Sequence, residues 1–235
     1  MPDRPIDRFN THLPLLVFLL PVVSINAAYL TASVLDHIPL CVPYFSGCTS
    51  ISSAGRVMPQ KGIFLLGMIP AAILTMQLWL TSEGWLTGNQ QLVPSRGLAF
   101  TGALASFCLL VYVTTLGIPG DVYRLFRKFG VLLYFGCTFI AQLLLIRQLK
   151  AHNSAYENHD KLAKRLTLFC VGILLCGIVI VPISLVEDPI KQKQMENIVE
   201  WNYALLLHVY YLLLIPAWRR MAMRHDETTE PTHGT

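Results

Sequence analysis

Two ionisable residues fall where the chain is otherwise apolar: Glu200, at the start of the run Trp201 to Trp218, and His208 within that run. An ionisable group in an apolar stretch long enough to span a membrane is a functional candidate by default. Eight positions apart on one helix, the two share a face and lie about 12 Å apart along its axis, so they can line one cavity without touching. Either could serve as a base. Structural readings stand beside these: an acid at the amino-terminal edge of a span suits the helix dipole, and a neutral His commonly hydrogen-bonds a neighbouring helix.

Hydrogen-bonding groups are concentrated in a polar stretch, CVPYFSGCTSISSAGRVMPQK, from Cys41 to Lys61. It is longer than a simple helix-to-helix turn requires, and long loops are more often functional or disordered than idle. Ser50, Ser52, Ser53 and Gln60 supply hydrogen-bonding groups, and Lys61 adds a cation. Arg127 and Trp201 are further candidate site residues on the same side. Cys41 and Cys48 have Pro43 and Gly47 between them to turn the chain, and are candidates for a disulfide, with two free thiols as the alternative. Glu187, Asp188 and Glu196 cluster with Glu200 on the same side as this loop.

The elements that must hold these residues follow from composition. Of 235 residues, 54% are hydrophobic and only 14% charged, against about a quarter charged in soluble domains. Six windows without acidic or basic side chains, Leu13–Leu35, Gly62–Thr81, Gly97–Ile118, Phe129–Ile146, Leu166–Val186 and Trp201–Trp218, are each of membrane-crossing length. The first runs past the usual apolar core of a signal peptide and lacks a good cleavage pattern, so it reads as a span. The expected fold is all-α: a polytopic bundle of six transmembrane helices over residues 13–218, with a short lead at 1–12, a first loop at 36–61 and a disordered tail at 219–235. Eleven of the eighteen Lys and Arg fall on the side of the termini, which predicts cytoplasmic termini and a luminal or extracellular first loop.

The basic excess is a topology signal rather than a nucleic-acid footprint, and no nucleic-acid partner is expected. Cys108, Cys137, Cys170 and Cys176 fall inside spans, where cysteine acts as a small hydrophobe. No Cys/His metal spacing, P-loop, G-x-S-x-G or H-E-x-x-H occurs. Neither a metal nor another cofactor is expected, and the residues alone name no reaction. The absence of an internal repeat argues against a secondary transporter.

The loop does resemble a known family. Ser50-Ile-Ser-Ser-Ala-Gly55, followed by Pro59-Gln60-Lys61 and a span, is similar to the Ser-Val-Ser-Ser-Ala-Ile-Gly and Pro-Gln-Arg of Frag/DRAM/Sfk membrane proteins, and within them of the post-GPI-attachment remodelling branch. Cys41-Val-Pro43 resembles that branch's Cys-Arg-Val-Pro. Leu109-Leu-Val-Tyr-Val, Lys164-Arg-Leu166 and Glu200-Trp201 follow the family in order and spacing. Arg127 before Gly130 departs from it, standing where the family tends to place a His. The resemblance implies six helices with cytoplasmic termini and a role in remodelling GPI-anchor lipids, at the reacylation of a lyso-form. The implied partners are a phospholipid or GPI-type glycolipid and, for an acyltransferase, an acyl donor; Glu200 or His208 would then be the base, with Ser50, Ser52, Ser53, Gln60, Lys61, Arg127 and Trp201 as donors and lipid contacts. The membrane would be Golgi or ER in a eukaryote and the plasma membrane in a bacterium. The alternative it implies is a non-enzymatic lipid-binding or scaffold protein of the DRAM/Sfk type.

Overall fold

A computed structural model describes the backbone of residues 5–87, 97–151 and 157–229, and side chains within 11–84, 97–150 and 161–219. Nine helices form among these residues: α1 (Pro5–Val34), α2 (Pro43–Ser46), α3 (Ile51–Ala54), α4 (Gln60–Thr87), α5 (Gly97–Thr115), α6 (Asp121–Ala151), α7 (Glu157–Ile178), α8 (Ile180–Ile183) and α9 (Pro189–Thr229). Six stretches are long and apolar enough to cross a membrane, lying in α1, α4, α5, α6, α7 with α8, and α9. Helix is the form that satisfies every backbone polar group within one segment, as a hydrocarbon environment demands. Side-chain hydroxyls are handled the same way. Thr75, Ser82 and Ser106 each bond the carbonyl four residues back, at 2.7, 2.7 and 3.0 Å.

The helices pack in a ring, in the order α1, α4, α5, α6, α7, α9, with α9 returning to α1. Small residues set the close approaches. A Cβ on Gly102 of α5 would enter the Trp79 side chain of α4, and one on Gly130 of α6 would lie 3.1 Å from the Cys108 carbonyl of α5. Large apolar side chains such as Leu66 and Leu168 point outward, 79% and 74% exposed, as a lipid-facing surface requires.

The interior divides in two. The half near the chain termini is built around Trp79, Leu145, Cys170, Tyr210 and Trp218, and draws on all six long helices. The half near the first loop is built around Tyr29, Phe64, Tyr112, Tyr134 and Trp201, and takes no residue from α7. We call the ends of the bundle the terminal face and the loop face. A polar pin fixes α6 to α9 in the terminal half, where Gln142 Nε2 donates to Leu207 O at 2.9 Å and Tyr210 O–H to Gln142 O at 3.1 Å.

Three boundaries differ from the sequence reading. Gln60 and Lys61 open α4 rather than closing the loop. α9 continues to Thr229, so much of the stretch expected as a disordered tail is helical. α9 also begins at Pro189, which puts Glu200 about 16 Å inside the helix rather than at its amino-terminal edge. The acidic side chain at that position is therefore not explained by the helix dipole, which acts within the first turn.

Candidate functional site

The first loop is a folded cap on the loop face. Cys41 and Cys48 are disulfide-bonded, with their Cα atoms 6.6 Å apart. Tyr29 of α1 holds the loop's start, its hydroxyl 2.6 Å from Cys41 O and 2.7 Å from Cys41 N. α9 holds the rest. Asn197 Nδ2 donates to Gly47 O at 2.8 Å, Trp201 Nε1 to Thr49 O at 2.9 Å and Asn202 Nδ2 to Tyr44 O at 2.8 Å. The rings of Tyr29 and Tyr44 meet Trp201 edge-on, with centroids 5.7 and 5.1 Å away. Trp201 thus anchors the cap and is 1% exposed.

The predicted hydroxyls are engaged locally. Ser50 is the N-cap of α3, its Oγ accepting from Ser53 N at 3.2 Å and lying 3.2 and 2.8 Å from the Ser52 and Ser53 hydroxyls. The backbone N–H groups of Ile51 and Ser52 face the half-buried Glu200 carboxylate. The cap therefore meets Glu200 through backbone amides, not serine side chains. Gln60 is buried, with Nε2 2.9 Å from His37 Nδ1. Arg127 donates Nη1 to Thr115 O at 3.0 Å and Ile118 O at 2.8 Å, closing the carboxy-terminal end of α5. Lys61 sits at the same turn, its Nζ 3.4 Å from where a Cβ on Gly117 would be.

Below the cap, a crevice of about 20 Å³ is enclosed by α1, α3, α4, α5, α6 and α9, room for about one water. Glu200, Ala204 and His208 line it at successive turns of α9, with Tyr112 from α5 and Tyr134 and Phe135 from α6 opposite. The two ionisable residues therefore share one cavity, as their spacing predicts. His208 is 3% exposed, its Nδ1 2.6 Å from Ala204 O and its Nε2 3.2 Å from the Tyr134 hydroxyl. A carbonyl can only accept, so Nδ1 carries the proton of the neutral ring and Nε2 accepts from Tyr134. Such a ring is held in one orientation with its basic nitrogen facing the crevice.

Tyr112, Tyr134, Asn197 and Asn202 belong to this site and are not among the residues the sequence analysis assigns to it. Tyr112 lies in the quoted Leu109-Leu-Val-Tyr-Val segment, which carries the signal. The asparagines sit in helix α9 beside Glu200 and offered none. Among the described residues, no group of His, Cys, Asp and Glu could hold a metal ion.

The sequence profile of the Frag1/DRAM/Sfk1/Cwh43P N-terminal domain matches residues 10–218. No curated protein and no solved structure matches the chain. With six apolar spans and a profile match over nearly their whole length, the chain belongs to the Frag1/DRAM/Sfk1/Cwh43P family of integral membrane proteins.

Proposed function

We propose that the protein remodels a membrane lipid, reacylating a lyso-form of the GPI-anchor type in the leaflet at its loop face. One observation carries this reading: Glu200 and His208 line a single crevice roofed by the hydroxyl-rich first loop. Glu200 is the base, taking the proton of the lyso-lipid hydroxyl as its oxygen attacks the donor's acyl carbonyl, and the leaving group departs with a proton. His208 and Tyr134 form a fixed pair on the crevice wall that positions the acceptor. Among the described residues, Ser50, Ser52 and Ser53 are tied into the α3 cap. Transfer in this reading proceeds directly from the acyl donor to the lyso-lipid, with no acyl-enzyme. The loop face is taken as non-cytoplasmic, supported by the Lys and Arg excess at the terminal face and by the disulfide at the loop face.

The same engagement of the serines favours a second reading, in which the protein binds the lipid without chemistry. Purified protein given a lyso-lipid and a long-chain acyl donor separates the two. Turnover that disappears in Glu200→Gln at unchanged protein level and melting temperature supports the base; a fully active Glu200→Gln protein removes it.

A further inference from the structure

α6 and α9 are not neighbours in the ring, and neither are α4 and α9. A side chain that joins either pair therefore lies across the interior of the bundle. Three such contacts gather on one face of α9. Gln142 of α6 donates Nε2 to Leu207 O at 2.9 Å, the Tyr134 hydroxyl of α6 lies 3.2 Å from His208 Nε2, and the ring of Trp79 of α4 meets that of Tyr211 with centroids 5.9 Å apart. Tyr211 is four residues from Leu207 and three from His208, so all three contacts fall within about one turn of α9. On α6 the facing stripe is Tyr134, Thr138 and Gln142, at four-residue spacing.

Of the eight buried side-chain polar atoms without a hydrogen-bond partner among the described residues, four belong to this seam: Trp79 Nε1, Thr138 Oγ1, Gln142 Oε1 and the Tyr211 hydroxyl. The four side chains are at most 1% exposed. Thr138 breaks a pattern. Thr75, Ser82, Ser106 and Thr167 each bond the carbonyl four residues back, at 2.6–3.0 Å, which is the local solution open to any hydroxyl in a helix. The Thr138 hydroxyl leaves the corresponding Tyr134 carbonyl alone. Adjacent tyrosines differ in the same way: Tyr210 donates to Gln142 O at 3.1 Å, whereas the Tyr211 hydroxyl, as deeply buried, meets no acceptor. An unpaired polar group in a dry core is costly, and native interiors hold few of them. Four on the facing sides of three helices mark a place that is not dry.

We propose that this seam is an internal hydration site, in which ordered water bridges the Thr138 side of α6 to the Tyr211 side of α9 and is shared with Trp79 and Gln142. The chemistry selects water. Trp79 Nε1 only donates, Gln142 Oε1 only accepts, and the two hydroxyls do both, so a ligand that serves all four must itself donate and accept. None of the four carries charge, so a bound ion would gain no counter-charge to offset its loss of hydration. Buried water makes about three hydrogen bonds to groups of this kind. The site does not depend on the lipid-remodelling reading, in which none of these four residues has a role. Its consequence is structural: water ties together, across the interior, helices that the ring does not pack side by side.

The test uses the full chain in detergent. A short X-ray pulse turns bound water into hydroxyl radical where it sits, so a buried side chain is oxidised when water lies beside it. Mass spectrometry is expected to find Trp79 and Tyr211 oxidised well above Trp218, which is equally buried. The near-isosteric variants Thr138→Val and Tyr211→Phe then give opposite signs for a wet and a dry seam. Beside water, each lost hydroxyl leaves that water short of a partner, and the melting temperature is expected to fall by about 2–4 °C in each variant. In a dry core each substitution deletes an unpaired polar group, and the melting temperature holds or rises. The double variant is expected to lose less than the sum of the two, because the second loss acts on a water already weakened. Oxidation of Trp79 and Tyr211 no higher than that of Trp218, or a melting temperature held or raised in both single variants, overturns the hydration site. Strictly additive losses overturn a water shared between α6 and α9.

Discussion

Asn197 donates its side-chain N–H to Gly47 O across 2.8 Å, tying α9 to a turn 150 residues earlier in the chain. Gly47 has φ of +58° and its Cα faces the Gln194 backbone so closely that a Cβ would enter the Gln194 carbonyl. Both the left-handed conformation and the close approach require glycine. Gly47→Ala is expected to cost about 1–3 kcal/mol from the backbone conformation alone and to lift the cap from α9. Faster proteolysis at Cys41–Lys61 and a red shift of Trp emission, as Trp201 becomes wet, would register it. An unchanged cleavage pattern would show that the cap tolerates the shift.

Tyr134→Phe removes the donor to His208 Nε2 and leaves that nitrogen buried without a partner. Hydrogen bonds between membrane helices are worth about 0.6 kcal/mol on average and up to about 2, so a melting temperature a few degrees lower in detergent is expected. Under the lipid-remodelling reading the turnover number should fall more than the apparent affinity for lyso-lipid, because the pair positions the acceptor. A fall in affinity alone would assign Tyr134 to binding.

Reduction of Cys41–Cys48 opens a small covalent loop, and such a constraint contributes roughly 2–3 kcal/mol through the unfolded chain. Dithiothreitol, or Cys41→Ser with Cys48→Ser, is expected to lower the melting temperature without releasing the cap from α9, since Trp201 and Asn202 hold it independently. Alkylation under denaturing conditions should mark four cysteines before reduction and six after.

The direction of insertion is open to a labelling test. Phe45 in the cap is 81% exposed, so a Phe45→Cys protein lacking the native disulfide cysteines should react with an impermeant maleimide in sealed vesicles that present the non-cytoplasmic side. A cysteine in place of Arg219, at the far end of the last span, should react only after permeabilisation. The reverse pattern would invert the bundle and put the cap in the cytoplasm.

By itself the sequence determined the six spans, the family and the candidate pair, because hydrocarbon leaves helix as the only satisfied form for long apolar runs and because Glu200 and His208 are eight residues apart on one helix. Spacing along one helix is a local property. Only the tertiary structure decided that Ser50 caps α3 with the Ser52 and Ser53 hydroxyls beside it, that Arg127 closes α5, and that Glu200 faces the backbone of Ile51 and Ser52. It also supplied Tyr112 and Tyr134, which reach the crevice from α5 and α6. These are contacts between helices far apart in sequence, and side-chain type does not specify them: a serine is equally suited to a cap or a ligand until its neighbours are placed.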